Sequence, residues 1–472
     1  MDKENFDIGM VGLGVMGRNF LLNMADSGYS VIGLDNNKEK ASALEKEAGE
    51  QHVRGTTSAK EFIAALKKPR AVMMLVPAGK AVDSVIQELI PLIDEGDLIV
   101  DGGNSHFTDT NRHSKKLEEN NLHFIGMGVS GGEEGARFGP SMMPGGSEDA
   151  YDRVKPIFEA TAAEVDGKPC VRWLGPGSAG HYVKMVHNGI EYGIMQLIAE
   201  CYDIMKRGLG LDNERIQKVF AEWNNSELSS FLMEITADIF AQPNDKGDGM
   251  LIDAILDNAK QKGTGKWASQ DAMDLKVPIP TIDMAVAMRD MSSYKEERLD
   301  AENELKGPET AIDIDKDGFI KKLKDAMYFS MVSCYAQGME LLRSASREYK
   351  YNLNFEDIAT IWRGGCIIRA ALLDDITKAY RTNPELANLM VDPDLSQVLI
   401  DRQESLREVV SKTAALGIPA PGLMTALAYY DSYRSGHLPA NLIQAQRDNF
   451  GSHTYERIDQ DGTFHSEWNH NS

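Results

Sequence analysis

Along the first third of the chain, short apolar runs alternate with amphipathic segments. The runs are Ile8 to Val11, Ser30 to Leu34, Ala71 to Val76, Leu98 to Asp101, His123 to Met127 and Val171 to Leu174. Between them lie segments with helical spacing: one ending near Ser27, then Ser58 to Lys67, Lys80 to Ile93, Thr108 to Asn120 and Ala150 to Ala163. Strand–helix alternation of this kind predicts a mostly parallel, doubly wound sheet with its ligand at the carboxyl ends of the strands. At Gly175-Pro176-Gly177-Ser178-Ala179-Gly180 the strand period stops, and helical spacing follows for about 250 residues. Within that region Leu211 to Phe240, with Trp223 and Ile235, resembles Asn352 to Tyr380, with Trp362 and Ile376, at an offset of about 140 residues. The fold class expected is therefore α/β plus all-α, with an internal duplication in the helical part.

The helix opening that region carries an unusual polar stripe. From His181 to Glu200 it is mostly apolar or small, yet Lys184, His187, Asn188 and Glu191 share one face, with Tyr192 beside them. Seven steps of ~100° return to within ~20° of the start. A lysine and a glutamate two turns apart in so apolar a helix are unfavourable unless paired or used. A buried pair that fixes packing is one reading, and a reactive pair is the other. In the duplicated copy, Ser330 and Met331 fall near the positions of Glu191 and Tyr192, and no stripe recurs.

The first strand runs into Gly12-Leu13-Gly14-Val15-Met16-Gly17 and a helix, and the second strand ends at Asp35. This is the dinucleotide fingerprint in its required setting, and it makes the N-terminal sheet Rossmann-type. A pyrophosphate there faces the free N–H groups of a helix N-terminus. A carboxylate at Asp35 accepts the ribose hydroxyls and repels a 2′-phosphate. Asn36 and Asn37 follow, the first basic residue is Lys38, and no arginine stands nearby, so NAD is expected in preference to NADP. Two more loops fall at strand ends: Asp101-Gly102-Gly103-Asn104-Ser105, and Val129-Ser130-Gly131-Gly132 with Glu133-Glu134-Gly135 after it. The second is either an anion nest or a plain surface turn.

Charge narrows the partners. The chain has 472 residues, 50 Lys and Arg against 72 Asp and Glu, and a net charge of −22. That balance opposes binding to nucleic acid or an anionic membrane, and an anionic small ligand needs a local cluster of cations. Gln261-Lys262-Gly263-Thr264-Gly265-Lys266-Trp267, Arg289, Arg447 and His453 are the candidates. Cys170, Cys201, Cys334 and Cys366 are widely spaced, so neither a zinc site nor a disulfide framework is expected. Asp313-Ile314-Asp315-Lys316-Asp317-Gly318 opens like a calcium loop, but Lys324 stands where the bidentate glutamate belongs, so no metal is expected. The segment Met1-Asp2-Lys3-Glu4-Asn5 lacks a signal pattern and no apolar run is long enough to span a bilayer, so a cytoplasmic protein is expected.

With these motifs assembled, the chain closely resembles the decarboxylating 6-phosphogluconate dehydrogenases in their long form. The likeness covers essentially the whole chain and rests on GLGVMG, DGGNS, GVSGGEEGAR, HYVKMVHNGIEY, KGTGKW and LPANLIQAQRD-FG-HTY. It implies metal-free oxidation and decarboxylation of 6-phosphogluconate to ribulose 5-phosphate in a homodimer. Lys184 is then the base that takes the C3 hydroxyl proton, and Glu191 the acid that protonates C1 of the enediol left after CO₂ departs. Asn104, Ser130, Gly131, Gly132, His187 and Asn188 would hold the sugar acid. Tyr192, Lys262, Thr264 and Arg289 would hold the phosphate, joined by Arg447 and His453 from the partner's tail. Coenzyme contacts would come from Gly12 to Gly17 (Leu13, Gly14, Val15 and Met16 included), Asp35, Asn36, Val76, Pro77, Ala78 and Asn104. The implied domains are residues 1–178 for the coenzyme, 179–440 for substrate and dimerisation, and 441–472 as the tail.

The chain departs from the family in three places. Many members carry Asn-Arg-Ser/Thr where this chain has Asp35-Asn36-Asn37, and commonly a lysine at Pro77, which again points to NAD. Lys260 replaces a usually small residue. Two rivals stand beside this reading: a 3-hydroxyacid dehydrogenase of the same superfamily, and a nucleotide-binding protein without catalysis.

Overall fold

The structure is a computed structural model, and it describes residues 5–308 and 315–468. Met1 to Glu4 of the N-terminal segment, and Asp313 and Ile314 of the calcium-like motif, lie outside the described residues. The chain divides into a unit ending at Ala426 and a tail unit beginning at Leu427.

In the first unit, β1 (Ile8–Val11), β2 (Val31–Leu34), β3 (Val53–Thr56), β4 (Ala71–Met74), β5 (Leu98–Asp101) and β6 (His123–Ser130) run parallel, and β7 (Ser141–Gly146) is antiparallel to β6. The order across the seven-stranded sheet is β3-β2-β1-β4-β5-β6-β7. Every residue of β1, β2, β4 and β5 is buried, as both-face coverage requires, which is why these strands read as continuous apolar runs. Alternate side chains feed two cores. Ile8, Met10 and Met73 point to one, beneath α1 (Val15–Asp26), α2 (Lys38–Ala48), α6 (Gly132–Phe138) and α7 (Glu148–Thr161). Val11, Val72 and Met74 point to the other, beneath α3 (Ala59–Ala64), α4 (Lys80–Leu89) and α5 (Phe107–Glu118).

The expected strand at Val171 to Leu174 does not form. It makes one bridge, from Val171 to Met142, and bonds such as Leu174 N–H to Pro144 C=O at 2.9 Å. Pro144 has no N–H to give back, so no ladder propagates there. Next to it lies a small hairpin, β8 (Glu164–Val165) and β9 (Lys168–Pro169). The Glu133-Glu134-Gly135 stretch, read as loop, is the first turn of α6, where two carboxylates complement the N-terminal dipole.

After the glycine-rich linker comes α8 (Ala179–Asp203), which ends in a π-turn at Ile204–Gly208. Then follow α9 (Asn213–Asn224), α10 (Phe231–Ala241), α11 (Thr264–Asp274), α12 (Pro280–Ser292) and α13 (Lys295–Glu304). The second half has α14 (Lys316–Glu348), α15 (Phe355–Ile361), α16 (Leu372–Thr382), α17 (Pro393–Ala415) and α18 (Pro421–Tyr433). The two segments that resemble each other in sequence meet in the structure. Helix pairs α9/α10 and α15/α16 are joined where Ser230 bridges Ala370 antiparallel, with Phe231 N–H on Arg369 C=O at 3.0 Å and Ala371 N–H on Ser229 C=O at 2.9 Å. The two bridged positions differ by the offset of about 140 residues seen in the sequence. The long helices α8 and α14 touch through glycines: a Cβ on Gly193 would lie 2.4 Å from Cys334 Sγ.

The tail unit has its own organisation. Asp448, on α19 (Ala440–Gly451), is buried and accepts four hydrogen bonds, from Thr454 N–H, His465 Nδ1, Ser466 N–H and Trp468 Nε1. These fold the hairpin of β10 (Tyr455–Glu456) and β11 (Thr463–Phe464) back onto the helix. Arg447 and His453 both lie exposed in this unit.

Candidate active site

The switch point of the sheet, between β1 and β4, builds the dinucleotide cradle. Gly12 has φ +94°, and a Cβ there would sit 2.6 Å from Leu75 O; a Cβ on Gly17 would sit 1.9 Å from Gly12 O. Backbone therefore packs on backbone, as the fingerprint requires. Gly14 is different: a Cβ would meet no atom within 4 Å, and as N-cap of α1 it offers no side chain to the helix's free N–H groups. Open space in front of unsatisfied donors fits a pyrophosphate. Val76 packs against Gly12, and Pro77 and Ala78 follow it along the same edge.

Asp35 Oδ2 accepts Leu13 N–H at 2.9 Å, and Oδ1 accepts Asn37 N–H at 2.9 Å. Burial pushes its carboxyl up, but these N–H groups and Lys40 outweigh burial and hold it below the usual range. Lys40 Nζ stands 3.2 Å from Oδ2. This cation lies two residues beyond Lys38, in the first turn of α2. Asn36, the next residue, is exposed.

α8 crosses the carboxyl end of the sheet and presents its stripe to a cavity of about 660 Å³. The crossing is close: a Cβ on Gly128 of β6 would lie 2.3 Å from Lys184 Cβ. Lys184, Asn188, Glu191 and Tyr192 line the cavity from α8, and Asn104, Ser130, Gly131 and Gly132 line it from the sheet loops. Asp101 shapes one loop by accepting Gly103 N–H at 3.0 Å and Ser105 Oγ–H at 2.6 Å, which leaves Asn104 exposed to the cavity. Gly131 (φ +118°) can only be glycine, since a Cβ would lie 2.6 Å from Gly365 O.

His187 is wholly buried behind this lining. Its Nε2 meets Ser130 Oγ at 3.3 Å and its Nδ1 meets Asn188 Oδ1 at 3.1 Å, so it positions two cavity residues. Burial and then the Lys184 charge keep it neutral, well below an ordinary histidine. Burial likewise lowers Lys184, against the pull of Glu191 and Cys366, and raises Glu191, against Lys184 and Arg289. No ion pair joins Lys184 to Glu191 among the described residues; Glu191 Oε2 instead stands 3.9 Å from His187 Nδ1. The site thus holds a lysine disposed to lose its proton and a glutamate disposed to keep one.

The far end of the cavity is cationic. Lys260, Lys262 and Arg289 line it with Thr264. Asn188 Nδ2 donates to Thr264 Oγ1 at 3.0 Å, tying α8 to the start of α11. Arg289 Cζ lies 3.4 Å from the centroid of the Tyr192 ring, and that ring leaves no room for a Cβ on Gly265, which would approach Tyr192 Cδ2 to 2.4 Å. Met16, an expected coenzyme contact, and Val129 and Gln261 of the two candidate loops also line it, and Met195 and Ile367 complete the lining without having been expected. Ile367 enters from the second repeat, where nothing local in the sequence marks it. Its N–H lies 3.4 Å from Ser130 Oγ. Arg447 and His453, the remaining expected contacts, belong to the tail unit. No group of histidine, cysteine or acidic side chains suited to a metal occurs among the described residues.

Such a fold and site define an NAD(P)-binding oxidoreductase. Residues 7–175 match the model of the NAD binding domain of 6-phosphogluconate dehydrogenase, and residues 180–468 match that of its C-terminal domain. A decarboxylating 6-phosphogluconate dehydrogenase of Lactococcus lactis is 51% identical over 99% of each chain. One from Bacillus subtilis, named NADP(+)-dependent, is 51% identical over 99% of this chain and 100% of its own. A solved Plasmodium falciparum 6-phosphogluconate dehydrogenase, described in its apo form, with NADP+ and with 6-phosphogluconate, has 44% identity and a TM-score of 0.94 over 98% of this chain and 100% of its own. The chain belongs to the 6-phosphogluconate dehydrogenase family.

Proposed function

We propose that this chain oxidises and decarboxylates 6-phosphogluconate to ribulose 5-phosphate and CO₂. The observation that carries the reading is the pairing of a lowered Lys184 with a raised Glu191 two turns apart on α8, between a dinucleotide cradle and a cationic pocket end. The substrate's shape fits this cavity. Its carboxylate end suits Ser130, Gly131 and Gly132, its hydroxyls suit Asn104 and Asn188, and its phosphate suits Tyr192, Lys262, Thr264 and Arg289.

When bound in the cradle at Gly12 to Gly17, the coenzyme would supply the acceptor for the hydride of C3. Neutral Lys184 takes the C3 hydroxyl proton as the hydride departs. The ammonium so formed stands beside the new C3 oxygen and stabilises the negative charge that grows there as the C1–C2 bond breaks and CO₂ leaves. Glu191, protonated at the start of the cycle, delivers its proton to the carbon that lost CO₂, and the ketose follows. His187 holds Asn188 and Ser130 in place throughout.

The coenzyme preferred on this reading is NAD. Asp35 is fixed as a carboxylate at the end of β2, and a 2′-phosphate there meets a like charge that one lysine, Lys40, partly offsets. The NADP(+)-dependence in the Bacillus subtilis name and the NADP+ in the Plasmodium structure weigh the other way. The protein acts as a homodimer in which residues 441–472 reach the partner's site and bring Arg447 and His453 to the phosphate. Residues 1–178 carry the coenzyme and 179–440 the substrate and the dimer contact. Four buried free thiols fit a reducing cytoplasm, and no helix among the described residues is long and apolar enough to cross a membrane. The rival 3-hydroxyacid reading has no use for the cluster of Lys262, Thr264 and Arg289.

The test is Lys184→Met, assayed for coenzyme reduction and CO₂ release from 6-phosphogluconate. Both activities are expected to vanish while coenzyme binding stays at the parent level. Substantial residual turnover removes Lys184 as the base, and a parent enzyme that releases no CO₂ removes the reading itself.

A further inference from the structure

The cationic end of the cavity holds one charge that the roles above leave unused. Lys260 lines the cavity together with Lys262 and Arg289, and its side chain is exposed. No carboxylate pairs with it among the described residues. Its neighbours on both sides are pinned to α12: Ala259 N–H donates to Ser292 Oγ at 2.9 Å, and Gln261 Nε2 donates to Asp290 Oδ1 at 2.7 Å. Arg289 sits on the same turn of α12, so one helix end sets where both cations stand. In a chain of net charge −22, an unpaired ammonium held at the rim of an anion pocket offsets local repulsion of an anionic substrate.

We propose that Lys260 is a specificity-determining residue that recruits and holds the phosphate of the substrate, raising this chain's preference for the phosphorylated sugar acid over its phosphate-free analogue. The inference rests on the placement of the phosphate given above. Because Lys260 is exposed and its partner a solvated dianion, its effect is long-range and screened by salt.

The experiment compares parent, Lys260→Ala, Lys260→Arg and Lys262→Ala in steady-state kinetics with 6-phosphogluconate at rising ionic strength, and measures inhibition by inorganic phosphate. Lys260→Ala is expected to raise KM about threefold to fivefold at low salt, with kcat unchanged. Its KM should rise less steeply with salt than the parent's, its inhibition by phosphate should weaken, and Lys260→Arg should restore all three. Activity on unphosphorylated gluconate, where measurable, should not change. Parental KM and salt dependence in Lys260→Ala, alongside a raised KM in Lys262→Ala, overturn the role of Lys260 and leave the phosphate placement standing. Parental KM in both variants overturns the phosphate placement, and this inference with it.

Discussion

A single methyl group at Gly180 tests whether the seat of α8 on the sheet sets the chemistry. A Cβ there would lie 2.2 Å from Met143 O, 2.3 Å from Gly126 O and 2.6 Å from Gly145 N. All three obstacles are backbone atoms of β6 and β7, so no side chain can turn aside. Relief to an ordinary contact requires the first turn of α8 to lift by about 1 Å, and Lys184 is four residues further on. Overpacking of this kind destabilises by about 1–3 kcal/mol, against which the better helix propensity of alanine returns up to about 1 kcal/mol. A reacting group misplaced by about 1 Å loses on the order of a hundredfold in rate. Gly180→Ala is therefore expected to fold with a melting temperature a few degrees low and to lose kcat by about tenfold to a hundredfold. Coenzyme affinity should hold, because Gly12 to Gly17 lie at the end of β1, with β4 and β5 between them and the contacts of Gly180 on β6 and β7. Thermal melting, coenzyme titration and initial rates on one preparation separate these effects. A variant with parental kcat and parental melting would show that α8 is not held by backbone contact, and that the position of Lys184 does not depend on it.

Two further outcomes follow from individual carboxylates. Glu200 on α8 is buried and accepts Gly422 N–H at 2.7 Å and Leu423 N–H at 2.9 Å, and burial pushes it from 4.5 up to about 7. A raised folded pKa gives a contribution complete below the unfolded value and lost as pH climbs through 7, so the stability of Glu200→Gln relative to the parent should improve by about 3 kcal/mol between about pH 4 and about pH 8; parallel denaturation curves over that range would refute this. For the coenzyme, side-by-side kinetics should give a higher kcat/KM with NAD than with NADP, and Asp35→Asn should narrow the gap; an NADP-preferring parent sinks the role given to Asp35.

The parts of the fold that were legible in the sequence are those where one physical demand dominates. β1, β2, β4 and β5 are covered on both faces, so apart from Asp101 at the end of β5 they carry no charged or polar side chain and could be read directly. β3 is half-buried and carries Arg54 and Gly55, while β7 contains Pro144 and two glycines, so neither has a strand's usual pattern. α2 hid behind its charges, with only Ala41, Leu44 and Ala48 buried, and the oversight hid Lys40 with it. At the site, the stripe on α8 was visible because four polar residues interrupt an apolar helix. The contribution of Gly365 and Ile367 was not, because their approach to Gly131 and Ser130 depends on how the second repeat docks.

The charge states along the stripe favour the reactive pair proposed above over a packing pair. A packing pair is stable when both members are charged and in contact, and each partner then favours the other's ionised form: the lysine rises and the glutamate falls. In the structure both shifts run the opposite way, because burial acts on each group separately and is the larger influence on both. No ion pair forms between them among the described residues, and the histidine between them is itself kept neutral. Such an arrangement gives little to stability, since two desolvated groups are left without their natural partner. It suits the proposed proton transfers: a base able to accept at C3 and an acid able to donate to the carbon that lost CO₂, about two turns apart on one rigid element and tuned by the same burial. The opposition of the two shifts, more than the presence of the two residues, supports the proposed proton-transfer roles.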